Sequence, residues 1–160
     1  MCGWHDYCWA DAEIERLIVK NGFRFEVIYR DNDLIEVHVS AWNGAFGGAA
    51  DVYLGIGQLE EIAAKLQGFP KSPSDTREVI LGDFIPRSAG RGVSMRFYCA
   101  GKSGRAYVEA KIESDYNPAD KAQSVLLLLP VEAAAIDSFV KELRGLGADR
   151  IGNAQLKGAI

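Results

Sequence analysis

The chain has 160 residues, a length that suits one domain built around one core. Its 48% hydrophobic and 25% charged residues are ordinary for a globular protein, and the net charge of −4 argues against non-specific nucleic-acid binding, which runs on surplus Lys and Arg. Three cysteines, Cys2, Cys8 and Cys99, cannot all pair within one chain, so no disulfide framework is expected and a reducing cytoplasm is the natural reading.

Met1 to Asp6 has neither a basic nor an apolar leader region, so no signal peptide is expected. A short helix is predicted over Asp11 to Lys20, where Ile14, Leu17 and Ile18 recur at helical spacing before the stop Asn21-Gly22. From Phe23 the period becomes two. Phe23, Phe25, Val27 and Tyr29 alternate with Arg24, Glu26, Ile28 and Arg30, which predicts a strand. The turn residues Arg30 to Asp33 lead into a return strand, with Ile35, Val37, Val39 and Ala41 on one face and Glu36, His38 and Ser40 on the other. Trp42 to Gly48 reads as a glycine-containing turn or bulge ahead of a third strand through Val52-Tyr53-Leu54.

Leu59, Ile62, Ala63 and Leu66 form a helical stripe. Glu60 and Glu61 sit at its start, where the helix dipole favours negative charge, and Gly68 and Pro70 stop it. Glu78 to Phe84 reads as a fourth strand and Pro86 to Gly92 as a loop. Val93, Met95, Phe97 and Cys99 alternate with polar residues, as do Ala106, Val108, Ala110 and Ile112 after the turn Gly101 to Gly104. Two such runs around a turn predict an antiparallel hairpin with one wet face, in the middle of the sheet. A loop at Asp115 to Lys121 precedes a more buried strand, Ser124 to Leu129; that apolar stretch is too short to span a bilayer. Pro130 is expected to open a last helix, with Ala133, Ile136, Phe139, Val140 and Leu143 buried and Gly145 ending it.

The predicted class is α+β: an antiparallel sheet of about seven strands, two amphipathic helices packed on it, and a short N-terminal helix. Residues 1–22 read as an extension, 23–146 as the single domain, and the aperiodic 147–160 as a flexible tail.

Chemical motifs are sparse. Gly101-Lys102-Ser103 lacks the preceding Gly and the following helix of a phosphate loop, and a hairpin turn accounts for it. Gly55-Ile56-Gly57 has Glu60 where a dinucleotide fingerprint needs its third Gly. Cys2, His5 and Cys8 are zinc-like ligand types, but their spacing is not a standard pair-plus-pair pattern, and no metal or other cofactor is expected. His38 has no nucleophile elbow or metalloprotease motif around it, and no catalytic set emerges.

From about Phe23 to Leu146 the layout resembles the WapI-like family of bacterial immunity proteins. An N-terminal hairpin, the stretch Trp42 to Gly48, the L-E-E-I-A-A-K-L run at Leu59 to Leu66, the segment Gly104-Arg105-Ala106-Tyr107-Val108, and the closing strand and helix over Leu126 to Leu143 carry the likeness. The resemblance implies a small cytoplasmic bacterial protein that neutralises a cognate toxin by direct binding, with no cofactor and no catalysis. Candidate partner-binding residues are the polar members of the two hairpins: Glu36 and His38 on the first, Tyr107, Glu109 and Glu113 on the second. The expected partner is a protein, not nucleic acid or membrane. An enzyme or small-ligand binder with its site in the sheet concavity stays open beside it.

Overall fold

A computed structural model describes residues 21–84, 91–114 and 123–159. The predicted helix over Asp11 to Lys20, the Cys2/His5/Cys8 cluster and most of the two predicted long loops lie outside them. The class is α+β, and the described residues form eight strands in two antiparallel four-stranded sheets and two helices. In chain order the elements are β1 (Gly22–Arg30), β2 (Leu34–Trp42), β3 (Gly47–Gly55), α1 (Gln58–Leu66), β4 (Thr76–Gly82), β5 (Gly92–Ala100), β6 (Arg105–Glu113), β7 (Ser124–Val131), α2 (Ala133–Asp149) and β8 (Asn153–Lys157).

The expected single sheet is instead two, ordered β3-β2-β1-β8 and β4-β5-β6-β7. Alternation within each strand fixes which side chains are buried, but not which hairpins join edge to edge. Both inner faces share one core. Phe23, Phe25, Val37 and Val39 line the first sheet, and Val93, Phe97, Val108 and Leu127 the second. The hairpin β5–β6 is the central pair of its sheet, with Phe97 and Val108 fully buried.

Two close approaches give the angle between the sheets. A Cβ on Gly48 would stand 2.6 Å from Val125 of β7, and Val52 lies 3.0 Å from where a Cβ on Gly82, the last residue of β4, would be. From residue 48 to 52 the strand advances about 13 Å, and three strand spacings from β7 to β4 span about 14 Å. So β3 crosses the second sheet nearly at right angles, which is orthogonal sheet packing. At the other end of β7, Val131 bridges to Gly158 just beyond β8, and the Ala159 N–H donates to the Pro130 carbonyl at 2.7 Å. The helices complete the core. Leu59, Ile62, Ala63 and Leu66 of α1 are buried, and Phe139 of α2 meets Phe25 edge to face at 5.3 Å.

Three expectations at the C-terminal end are corrected. Pro130 lies in β7, opposite Tyr107. The neighbouring carbonyl of Leu128, like that of Pro130 itself, points away from β6, so a missing N–H at Pro130 removes no ladder bond. Helix α2 runs through Gly145 to Asp149 because Leu146 is buried and extends the apolar stripe by one turn. The tail expected to be flexible forms β8, with Ala154 and Leu156 fully buried and β8 paired to β1 from Gly22↔Lys157 to Glu26↔Asn153.

Arg77 ties the second sheet to α1. Its guanidinium donates to Asp75 and to the carbonyls of Lys65 (2.9 Å) and Gln67 (2.7 Å), satisfying groups that the end of α1 leaves open. That contact, with the Lys71 N–H, holds the Asp75 carboxyl below its ordinary value of 3.8. Asp31 is held low in the same direction, by the N–H groups of Leu34 and Asp33 at the β1–β2 turn. Both carboxyls bind protons more weakly when folded than unfolded. Their contribution is therefore complete above the ordinary value and is lost as pH falls through the lowered folded values. Urea midpoints should fall as the pH drops below about 4, and the double variant Asp31→Asn, Asp75→Asn should show a shallower fall. An equal slope in that variant would rule these two groups out as the source.

Candidate functional site

The outer face of the first sheet gathers charge in its middle and apolar side chains at one end. The register of β1, β2 and β3 sets adjacent rows across the strands. One is Glu26, His38 and Asp51; the next is Tyr29, Glu36 and Tyr53. Asp51 accepts from His38 Nδ1 at 2.5 Å, and Arg91, at the entrance to β5, reaches Glu36 at 3.5 Å and Asp51 at 3.6 Å. On the flank Arg24 pairs with Glu26 at 3.1 Å. His38 is thus held by one ring nitrogen at the centre of a mixed-charge cluster.

The expected alternation would have put Tyr29 in the core with Phe23, Phe25 and Val27. The pairing shifts between Val27↔Val37 and Tyr29↔Glu36, leaving Ile28 as an extra residue. This bulge reverses the side that follows it and turns Tyr29 outward. Tyr29 donates to Asp31 at 3.3 Å, and the Asp31 charge raises the phenol pKa above 10.0. The Val27 N–H donates to the Gly152 carbonyl, which holds the segment before β8, with Ile151, at this end of the sheet. Ile28, Tyr29, Tyr53, Ile56 and Ile151 are all at least half exposed at this end of the sheet. Monomeric surfaces tolerate scattered apolar residues, but five at one end form a patch.

The other three sequence candidates stand elsewhere. Tyr107, Glu109 and Glu113 lie on the outer face of the second sheet, so the structure does not bring them together with Glu36 and His38. Tyr107 stacks on Tyr98 at 5.9 Å, with Arg96 over the far ring. Glu109 sits between Arg96 and Leu128 in the strand register. Glu113 pairs with Lys111 at 3.1 Å and its side chain is only 12% exposed, so little of it is left for a partner. Sequence alternation found Glu36 and His38 but missed Asp51, Arg91 and the apolar end. Asp51 was legible only through the β2–β3 register, and Tyr29 only through the bulge.

Chemically the cluster can orient a histidine and take part in hydrogen bonding with a partner. Among the described residues no hydroxyl or thiol is hydrogen-bonded to His38, and no group of three His, Cys, Asp or Glu side chains could hold a metal ion. Two open clefts, of about 390 and 210 Å³, lie away from it. One is at the start of α2, between Pro70 and Arg105; the other is between the starts of β3 and β7. No helix among the described residues is long and apolar enough to cross a membrane. No protein-family model matches the chain, and neither a curated protein nor a solved structure matches it.

Proposed function

We propose that this is a protein-binding domain, of the kind that neutralises a cognate bacterial toxin in the cytoplasm, and that it engages its partner with the outer face of the first sheet. The observation that carries the reading is the exposed group Ile28, Tyr29, Tyr53, Ile56 and Ile151 beside the Glu36/His38/Asp51/Arg91 cluster. Tyrosines anchor interfaces because they bury large area with few rotatable bonds, and neighbouring charges fix register and exclude wrong partners. The toxin assignment rests on the family resemblance alone.

The test is capture of the product of the adjacent gene by the purified domain, followed by titration of variants. Tyr29→Ala and Tyr53→Ala should each weaken binding about tenfold or more, with the circular dichroism spectrum unchanged. Glu109→Lys, on the other sheet, should bind as the parent does. A partner that is lost with Glu109→Lys and kept by both tyrosine variants would move the interface to the second sheet. No binding by the gene product would remove the toxin reading.

The His38–Asp51 pair favours a second reading as an enzyme or small-ligand site. Asp51 holds Nδ1 and leaves Nε2 to hydrogen-bond a ligand. Turnover of any ester or phosphoester panel substrate that disappears with His38→Gln would support it.

A further inference from the structure

We propose that two copies of this chain pair through β4, edge to edge and antiparallel, joining their second sheets into one eight-stranded sheet. Among the described residues the strand β4 ends its sheet, with β5 as its one hydrogen-bonded neighbour. The Asp83 N–H donates to the Arg91 carbonyl at 3.1 Å, continuing the register Gly82↔Gly92. That bond sets the parity of the whole strand, because antiparallel ladder bonds recur at every second residue. Arg77, Val79 and Leu81 turn their backbone groups toward β5. Thr76, Glu78 and Ile80 turn theirs to the open side, Gly82 ends the strand in a left-handed conformation (φ +70°), and all four residues are exposed. The Ile80 side chain is 54% exposed beside them.

The far edge of this sheet is occupied by contrast. In β7 the outward carbonyl of Leu128 accepts from Asn43 and that of Pro130 from Ala159, and Pro130 has no N–H to offer. An open edge is a template for another strand unless a proline, a bulge or a row of charges blunts it. β4 has no proline, and its register with β5 runs unbroken from Thr76↔Tyr98 to Gly82↔Gly92. Its one outward charge on this face, Glu78, lies opposite Arg96 of β5.

Charge and parity together select a second copy and a register. A symmetric antiparallel pair needs outward residues opposite outward residues. Centring on Glu78 would set two carboxylates face to face, which is unfavourable, and centring on Ile80 would set Glu78 against the left-handed Gly82 and run Thr76 past the end of the strand. Centring on Val79 places Glu78 opposite Ile80 of the other copy and Thr76 opposite Gly82. Glu78 and Ile80 of both copies are then paired, each Glu78 stays opposite Arg96 of its own β5, and each Ile80 gains cover. This pairing uses a different surface from the proposed partner face and stands or falls independently of it.

Sedimentation equilibrium of the full chain over about 1 to 300 µM should show the mass rising from 17.5 kDa toward twice that value. In the dimer the Glu78 and Ile80 amides should exchange about tenfold more slowly than after dilution, while amides already bonded to β5 change little. Ile80→Pro removes a donor that faces away from β5, so it spares the existing ladder and should abolish the dimer. Ile80→Glu should do the same by charge, because it sets a second carboxylate opposite Glu78 of the other copy at both ends of the pairing, and it decides the matter if the proline variant fails to fold. A single-chain mass at every concentration would overturn the proposal. So would a dimer that persists in Ile80→Glu with unchanged amide exchange at Glu78.

Discussion

Truncating Phe97 to alanine should cost about 3–5 kcal/mol, measured by urea unfolding with an unchanged slope. Phe97 sits in the central strand β5 with no solvent exposure, and its ring meets Phe69 at 5.9 Å in an edge-to-face contact. Phe69 is pinned in turn beneath the Arg77 guanidinium, 5.4 Å from its ring centre. Neither neighbour can collapse freely into the space, which places the site toward the costly end of the range. A domain of this kind has about 5–15 kcal/mol in total, so the loss is a large fraction of its stability. Tyr98→Ala, one residue along and on the outer face, should cost far less. Equal losses at the two positions would mean that the inner and outer faces are misassigned.

Leu156→Ala should cost about 2–5 kcal/mol, although the residue lies in a strand of five residues. Leu156 is fully buried and opposes Phe23, itself fully buried, in the pairing of β8 with β1. Lys157→Ala, in the same strand with its side chain exposed, should be nearly neutral. If Leu156→Ala were as mild as Lys157→Ala, β8 would be an ornament on the first sheet instead of part of its core.

The sequence made the strands legible where apolar and polar residues alternate over many positions. The hairpin of Val93, Met95 and Phe97 with Ala106, Val108 and Ala110 is the clearest case, and its inward set is buried as expected. The helix at Leu59 to Leu66 was legible for the same reason at the other period. β8 was not, because two inward residues, Ala154 and Leu156, are too few to establish a period. Tyr29 was misplaced because a bulge leaves no mark on hydrophobicity alone. The division into two sheets depends on where edges meet, which is set by side chains such as Val125 and Val52 approaching Gly48 and Gly82 across long sequence separations. The candidate site was half legible. Glu36 and His38 followed from alternation in one hairpin, whereas Asp51 and Arg91 join them only through tertiary placement.

The pairing of β8 with β1 also has a consequence in time. Phe23 and Leu156 are neighbours across 133 residues, the difference of their numbers in the register. Closing so long a loop adds little to the equilibrium cost, since that grows only as the logarithm of its length, but contacts this distant slow the search for the native state. During synthesis, at about 5–20 residues per second, β1, β2 and β3 are made early and then wait several seconds for the strand that completes their sheet. Throughout that interval β1 lacks its β8 partner and the Phe23 and Phe25 side chains lack part of their cover. The second sheet, whose strands follow one another as hairpins, has no such wait, so the nascent chain passes through a state with one sheet finished and the other still able to accept a foreign strand.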